Sequence, residues 1–130
     1  MALAFLLGRI IFGIYWLETA YNHLFKSAGL IGYTQSKGVK SAGTAKLAVW
    51  GSGILALIGG LSILFGYHPH WGIAALIIFL VGVSWKIHAY WKIQDPMARM
   101  GDRVNFMKNM ALIGALLMMF AIMEPWVYSI

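Results

Sequence analysis

Two histidines set in apolar surroundings, His23 and His88, are the residues of this chain best suited to chemistry. An imidazole both makes hydrogen bonds and exchanges a proton near neutral pH. His88 shares a helical stripe with Ser84, Trp85, Trp91 and Asp95, by i, i+3, i+4 and i+7 relations. His23 shares one with Arg9, Gly13, Trp16 and Ala20, while Glu18 and Asn22 fall on another. Asn109 opens a later apolar stretch beside Lys108. A quinone headgroup needs hydrogen-bonding groups beside aromatic, apolar walls. His23, His88 and Asn109 could supply the first, with Trp85 and Trp91 as the walls and Glu18 close by. The competing reading is structural. Arg9, Glu18, Lys86, Asp95 and Lys108 would then form a polar network, with the histidines satisfied inside it. The residue pattern leaves both readings open.

Other chemistries find less support. The chain has no cysteine, so it holds no thiolate nucleophile, disulfide or Cys-ligated cluster. His23 and His88 are of the type that ligates b-type haem, but no spacing demands it and none is expected. The two imidazoles of His68-Pro69-His70 lack a third metal ligand in the sequence. No phosphate loop, nucleophile elbow or zinc-protease helix is present. An enzyme acting alone is not the expectation.

The elements that position these residues follow from composition. The 130 residues are 61% hydrophobic and 11% charged. A soluble domain is about 25% charged, so the chain reads as a small integral membrane protein. Four stretches reach the ~20 apolar residues that a spanning helix needs: Ala2–His23, Lys46–Phe65, Trp71–Trp91 and Val104–Met123. They are too long and unbroken for transmembrane β-strands. The first carries Arg9 and Glu18 and lacks a basic lead, so it reads as a retained helix rather than a cleaved signal. The expected architecture is all-α: one transmembrane domain over residues 1–130, a four-helix bundle. A short helix in the interface is predicted at Leu30–Val39 between spans one and two. The second connection reads as a tight turn from Gly66 to His70, and the third, Ile93–Arg103, as a polar loop in which Asp95-Pro96 stops a helix.

The net charge of +6 has a topological explanation. Lys26, Lys37, Lys40 and Lys46 attend the first connection, and Lys92, Arg99, Arg103 and Lys108 the third. Short basic connections stay cytoplasmic, so both termini are expected outside. Because these charges flank spans and form no separate basic domain, nucleic acid is not an expected partner. Ala48, Ser52, Ala56 and Gly60 recur every fourth residue along span two, a small-residue stripe that lets another helix approach closely. That neighbour is either a helix of the same bundle or another subunit.

Several segments, in order, resemble the DoxX family of small four-span membrane proteins. They are Gly8-Arg9-Ile10-Ile11-Phe12-Gly13 with Tyr21-Asn22-His23-Leu24-Phe25, then Gly32-Tyr33 with Ser36-Lys37-Gly38-Val39, then Gly59-Gly60-Leu61-Ser62. His88-Ala89-Tyr90-Trp91 with Asp95-Pro96 and Phe106-Met107-Lys108-Asn109-Met110 complete the series. Many relatives carry prolines where this chain has Lys40-Ser41-Ala42-Gly43. The family takes its name from a subunit of an archaeal thiosulfate:quinone oxidoreductase, and other relatives are linked to oxidative-stress complexes or, more distantly, receptor assembly. The resemblance therefore implies a four-helix bundle in a prokaryotic inner or plasma membrane. It implies an accessory subunit of a membrane redox complex, anchoring a partner and shaping a quinone site. The alternative is a subunit that docks onto a larger complex with no chemistry of its own. The motif positions carried over are Arg9, His23, Tyr33, Lys37, Gly38, His88, Trp91, Asp95, Lys108 and Asn109.

Overall fold

The computed structural model describes residues 1–130 and contains no strand. Five α-helices follow one another: α1 (Ala2–Phe25), α2 (Ser27–Ser36), α3 (Ala42–Phe65), α4 (Pro69–Lys86) and α5 (Pro96–Phe120). A single 3-10 turn, Tyr90–Lys92, lies between the last two. Three helical segments are long and apolar enough to cross a membrane: Ala2–Phe25, Ala42–Phe65 and Pro69–Lys92. α5 has the length, 25 residues, but is not among them. Its first half carries Arg99, Asp102, Arg103 and Lys108. Leu3, Leu7, Ile11 and Ile14 are exposed at helical spacing along α1, an apolar face of the kind that lipid covers. The chain is an integral membrane protein.

Several boundaries differ from the sequence reading, two of them at the candidate chemistry. α4 stops at Lys86, because the amides of Ile87 and His88 both turn back to the carbonyl of Val83, at 2.9 and 3.1 Å. The stripe that ran from Ser84 to Asp95 on one helix is therefore broken before His88. Asp95-Pro96, expected to stop a helix inside a loop, instead starts α5. The Asp95 carboxylate accepts from the amide of Ala98 at 2.8 Å, and proline sits where its missing N–H costs nothing. The short helix between the first two spans forms as α2, a few residues earlier than expected. Gly66 ends α3 at φ +69°, the left-handed conformation that glycine adopts without strain.

Glycines let the helices approach closely. A Cβ on Gly13 would lie 2.8 Å from that of Leu64, and one on Gly53 would lie 2.8 Å from that of His23, so α1 lies directly on α3. Gly59 faces Leu76 and Gly72 faces Ser62 in the same way across α3 and α4. Of the small-residue stripe, Ala56 and Gly60 are buried, Ser52 is half-buried and Ala48 is exposed. The packing order is open: α1 and α2 lie on α3, α3 on α4, and α4 on α5. The α5 backbone approaches none of α1, α2 or α3. A seam therefore separates α1 and α2 from α5, crossed only in places.

Candidate functional site

A cavity of about 620 Å³ opens along the seam, at the end of the bundle carrying the basic connections. Leu55, Ile78 and Leu80 give it apolar walls, and Tyr15, Trp16, Tyr33 and Phe79 give it aromatic ones. The polar groups reaching it come from all five helices and the chain after α4: His23, Tyr33, Ser52, Lys86, His88, Lys108 and Asn109. The volume lies within the ~300–1,000 Å³ common for small-molecule sites.

His23 is placed by the close α1–α3 contact at Gly53. Its Nδ1 lies 2.8 Å from the Ser52 hydroxyl and 3.2 Å from the Val49 carbonyl. The Ser52 hydroxyl donates to that same carbonyl at 2.8 Å, so its oxygen accepts from Nδ1–H. His88 is placed differently. The premature end of α4 releases it from the helix, and its Nδ1 reaches Oδ1 of Asp102 at 3.1 Å. An ionised carboxylate only accepts, so Nδ1 carries the proton. In each histidine Nδ1 is occupied within the protein, which leaves Nε2 as the ring atom available to a ligand. Asn109 is buried and donates to the Ser84 hydroxyl at 3.1 Å, fixing α5 against α4.

Asp102 is the hub of this end. It is 5% exposed and also takes the Lys37 ammonium on Oδ2 and the Tyr33 hydroxyl on Oδ1 at 3.3 Å. Burial pushes the Asp102 carboxyl up, but the hydrogen bonds from Lys37 and His88 and the Lys37 charge outweigh it and hold it below the usual carboxylate range. Burial likewise pulls the Lys37 ammonium down, and the bond to Asp102 with the neighbouring Tyr33 overcomes this and holds it above the usual lysine range. Burial first, then the Asp102 charge, pushes the Tyr33 phenol up. The cluster joins α2 to α5 across the seam. Sequence reading singled out Tyr33, Lys37 and His88 but not Asp102, which lay in what read as a polar loop. The available signal was scarcity, since the chain has four acidic residues in all.

The remaining expected positions lie elsewhere. Trp85 and Trp91 are about half exposed and pack edge-on against Phe106 outside the cavity. Asp95 caps α5. Lys86 and Lys108 are exposed and line the cavity. Glu18 faces outward from α1 and makes no hydrogen bond or ion pair. Arg9 sits at the opposite end, 1% exposed. It donates to the carbonyls of Ile63 (3.0 Å), Leu64 (3.1 Å) and Val127 (2.6 Å) and lies over the rings of Phe5 and Trp126.

Among known proteins, the DoxX family model matches residues 4–89, more than half of the chain. No curated protein and no solved structure matched it.

Proposed function

The chain belongs to the DoxX family, and from that membership we propose that it is an accessory subunit of a membrane redox complex whose cavity receives a quinone headgroup. The observation that carries this reading is the His88–Asp102 pair beside an apolar, aromatic cavity that also takes His23. A hydroquinone presents hydroxyl groups, and an imidazole with Nδ1 committed offers Nε2 to accept from one of them. Asp102 orients His88 and stabilises the imidazolium that forms if the proton moves. The apolar walls would hold the ring and the start of an isoprenoid chain, which enters from the bilayer along the seam. The basic connections support a cytoplasmic location for this end, because short loops rich in Lys and Arg stay on that side.

The test is direct binding of a short-chain quinol to the purified protein in mild detergent. We expect His88→Ala and Asp102→Asn each to weaken it at least about tenfold, the worth of one hydrogen bond to a charged group. Equal binding by the parent and both variants removes the site.

The assembly reading has its own support in Glu18. It is a carboxylate without a partner on the α1 face that also exposes Ile11, Ile14 and Tyr21. A neighbouring subunit's cation would complete it. That reading expects Glu18→Ala to lower co-purification with a larger complex while quinol binding is unchanged.

A further inference from the structure

The cavity is lined by cations without counter-ions. Lys86 closes α4 and Lys108 lies on α5, and both line it. Neither makes an ion pair. All four acidic residues are accounted for elsewhere. Asp95 caps α5, Asp102 holds Lys37 and His88, Glu124 holds His70, and Glu18 points outward from α1. No carboxylate lines the cavity. The two lysines differ in this from Lys37, whose charge is matched, and from Lys26 and Lys46, which lie over the rings of Tyr21 and Trp50.

The apolar part of the cavity has room as well. A Cβ added at Gly51 or Gly82, both of which line it, would meet no atom within 4 Å. A chain can therefore lie against this backbone while its head reaches the lysines.

We infer that the occupant is an anionic amphiphile, with its charged head between Lys86 and Lys108 and its chain along Gly51 and Gly82. This rests on the reading of the cavity as a ligand site and names the charge of what fills it. Two ammonium groups at a cavity that no carboxylate lines favour an oxyanion over an isosteric neutral head. The same preference is met by an acidic hydroxyquinone, a fatty acid or an acidic phospholipid.

The experiment uses the full chain in nanodiscs of zwitterionic lipid at neutral pH. The probes are a 2-hydroxy-3-alkyl-1,4-naphthoquinone, whose enol is ionised there, and its methyl ether, which has the same ring and chain but no charge. We expect the acid to bind about tenfold or more tighter than the ether, on the scale of one charge-assisted hydrogen bond. Lys86→Gln with Lys108→Gln should bring the two affinities together, and Lys86→Arg with Lys108→Arg should keep them apart. The arginine pair guards against a folding defect, because it preserves charge and bulk. Gly82→Leu, whose Cβ meets no atom within 4 Å, should weaken both probes by occupying the chain's path.

Equal affinities for acid and ether in the parent protein overturn the inference while leaving a neutral quinone site standing. Binding of neither probe, nor of a long-chain fatty acid, overturns both readings. A fatty acid bound as tightly as the acidic quinone supports the anionic head and removes the quinone. Phosphatidylglycerol displacing the acid from the nanodisc-held protein supports it with a lipid as the source.

Discussion

The seam between α1–α2 and α5 is crossed at both ends of the molecule, by different means. At one end the crossing is Arg9, whose hydrogen bonds all go to backbone carbonyls: two at the C-terminus of α3 and one in the segment after α5. Carbonyls do not titrate, and the guanidinium holds its charge at any accessible pH. The dipole of α3 adds to the attraction. The Ile130 amide donates to the carbonyl of Phe65 and closes the same end. At the other end the crossing is Asp102, bound to three side chains that are themselves titratable: Tyr33, Lys37 and His88. One end is a fixed clip, and the other is adjustable and borders the cavity. A buried charge therefore does not mark function by itself. What distinguishes the two ends is whether its partners can change state.

The largest effect that would break this contrast is expected at Arg9. Arg9→Met removes the charge and leaves three carbonyls short of a donor. Removing one side of a buried polar network typically costs about 3–5 kcal/mol. Thermal unfolding in detergent should show this, and quinol affinity of the molecules that remain folded should be unchanged. Arg9→Lys should recover only part of the loss, because an ammonium cannot reproduce the planar fork. If Arg9→Met abolishes ligand binding in a folded protein, the clip is not independent of the cavity.

A smaller effect, with a pH signature, is expected at Asp102. Asp102→Asn should cost about 2 kcal/mol, the range for a hydrogen bond to a charged group. The sign of the pH dependence follows from the shifts. Asp102 is depressed when folded, so its contribution is present above its unfolded value of about 3.9 and is lost as pH falls through the lower folded value. Lys37 is raised when folded, so its contribution is complete below about 10.4 and is lost as pH rises through the higher folded value. Unfolding followed across pH should therefore show a plateau between these limits in the parent. The acid limb should be reduced in Asp102→Asn, while the clip contributes no limb. An Arg9→Met protein that loses the acid limb instead would reverse the assignment.

The residues show why some of this was legible in the sequence. α1 and α3 were readable because length and apolarity alone define a spanning helix. His23 was readable as a polar group on an apolar stripe, although its placement depends on Gly53, whose role appears only when α1 lies against α3. The walls were not readable. Trp85 and Trp91 share the His88 stripe only if α4 continues, and the carbonyl of Val83 ends it. Asp102 was hidden for the converse reason. Asp95-Pro96 signals a helix boundary without saying which side is helical, and only the cap to Ala98 shows that a helix begins there. Once α5 starts at Pro96, Asp102 is on a helix that can face α2. The contacts of Arg9 with Val127 and of Asp102 with Lys37 join residues far apart in sequence, and no local pattern encodes them.

The smallest expected effect tests whether the clip end depends on Arg9 or on a second pair beside it. Imidazole Nδ1 of His70 lies 2.5 Å from a Glu124 carboxylate oxygen, and its Nε2 lies 2.9 Å from the Phe120 carbonyl. This pair also ties the segment after α5 to the bundle, at the start of α4. Yet both side chains are about one-third exposed, and pairs open to water are worth about 0–1 kcal/mol. Glu124→Gln keeps the volume and one acceptor for the His70 amide, which now donates to Glu124 at 3.2 Å. It should therefore move the unfolding midpoint by less than the Asp102 variant, and far less than Arg9→Met. A loss equal to that of Arg9→Met would mean that a pair of titratable side chains holds this end. Both ends would then be adjustable, and the contrast between them would disappear.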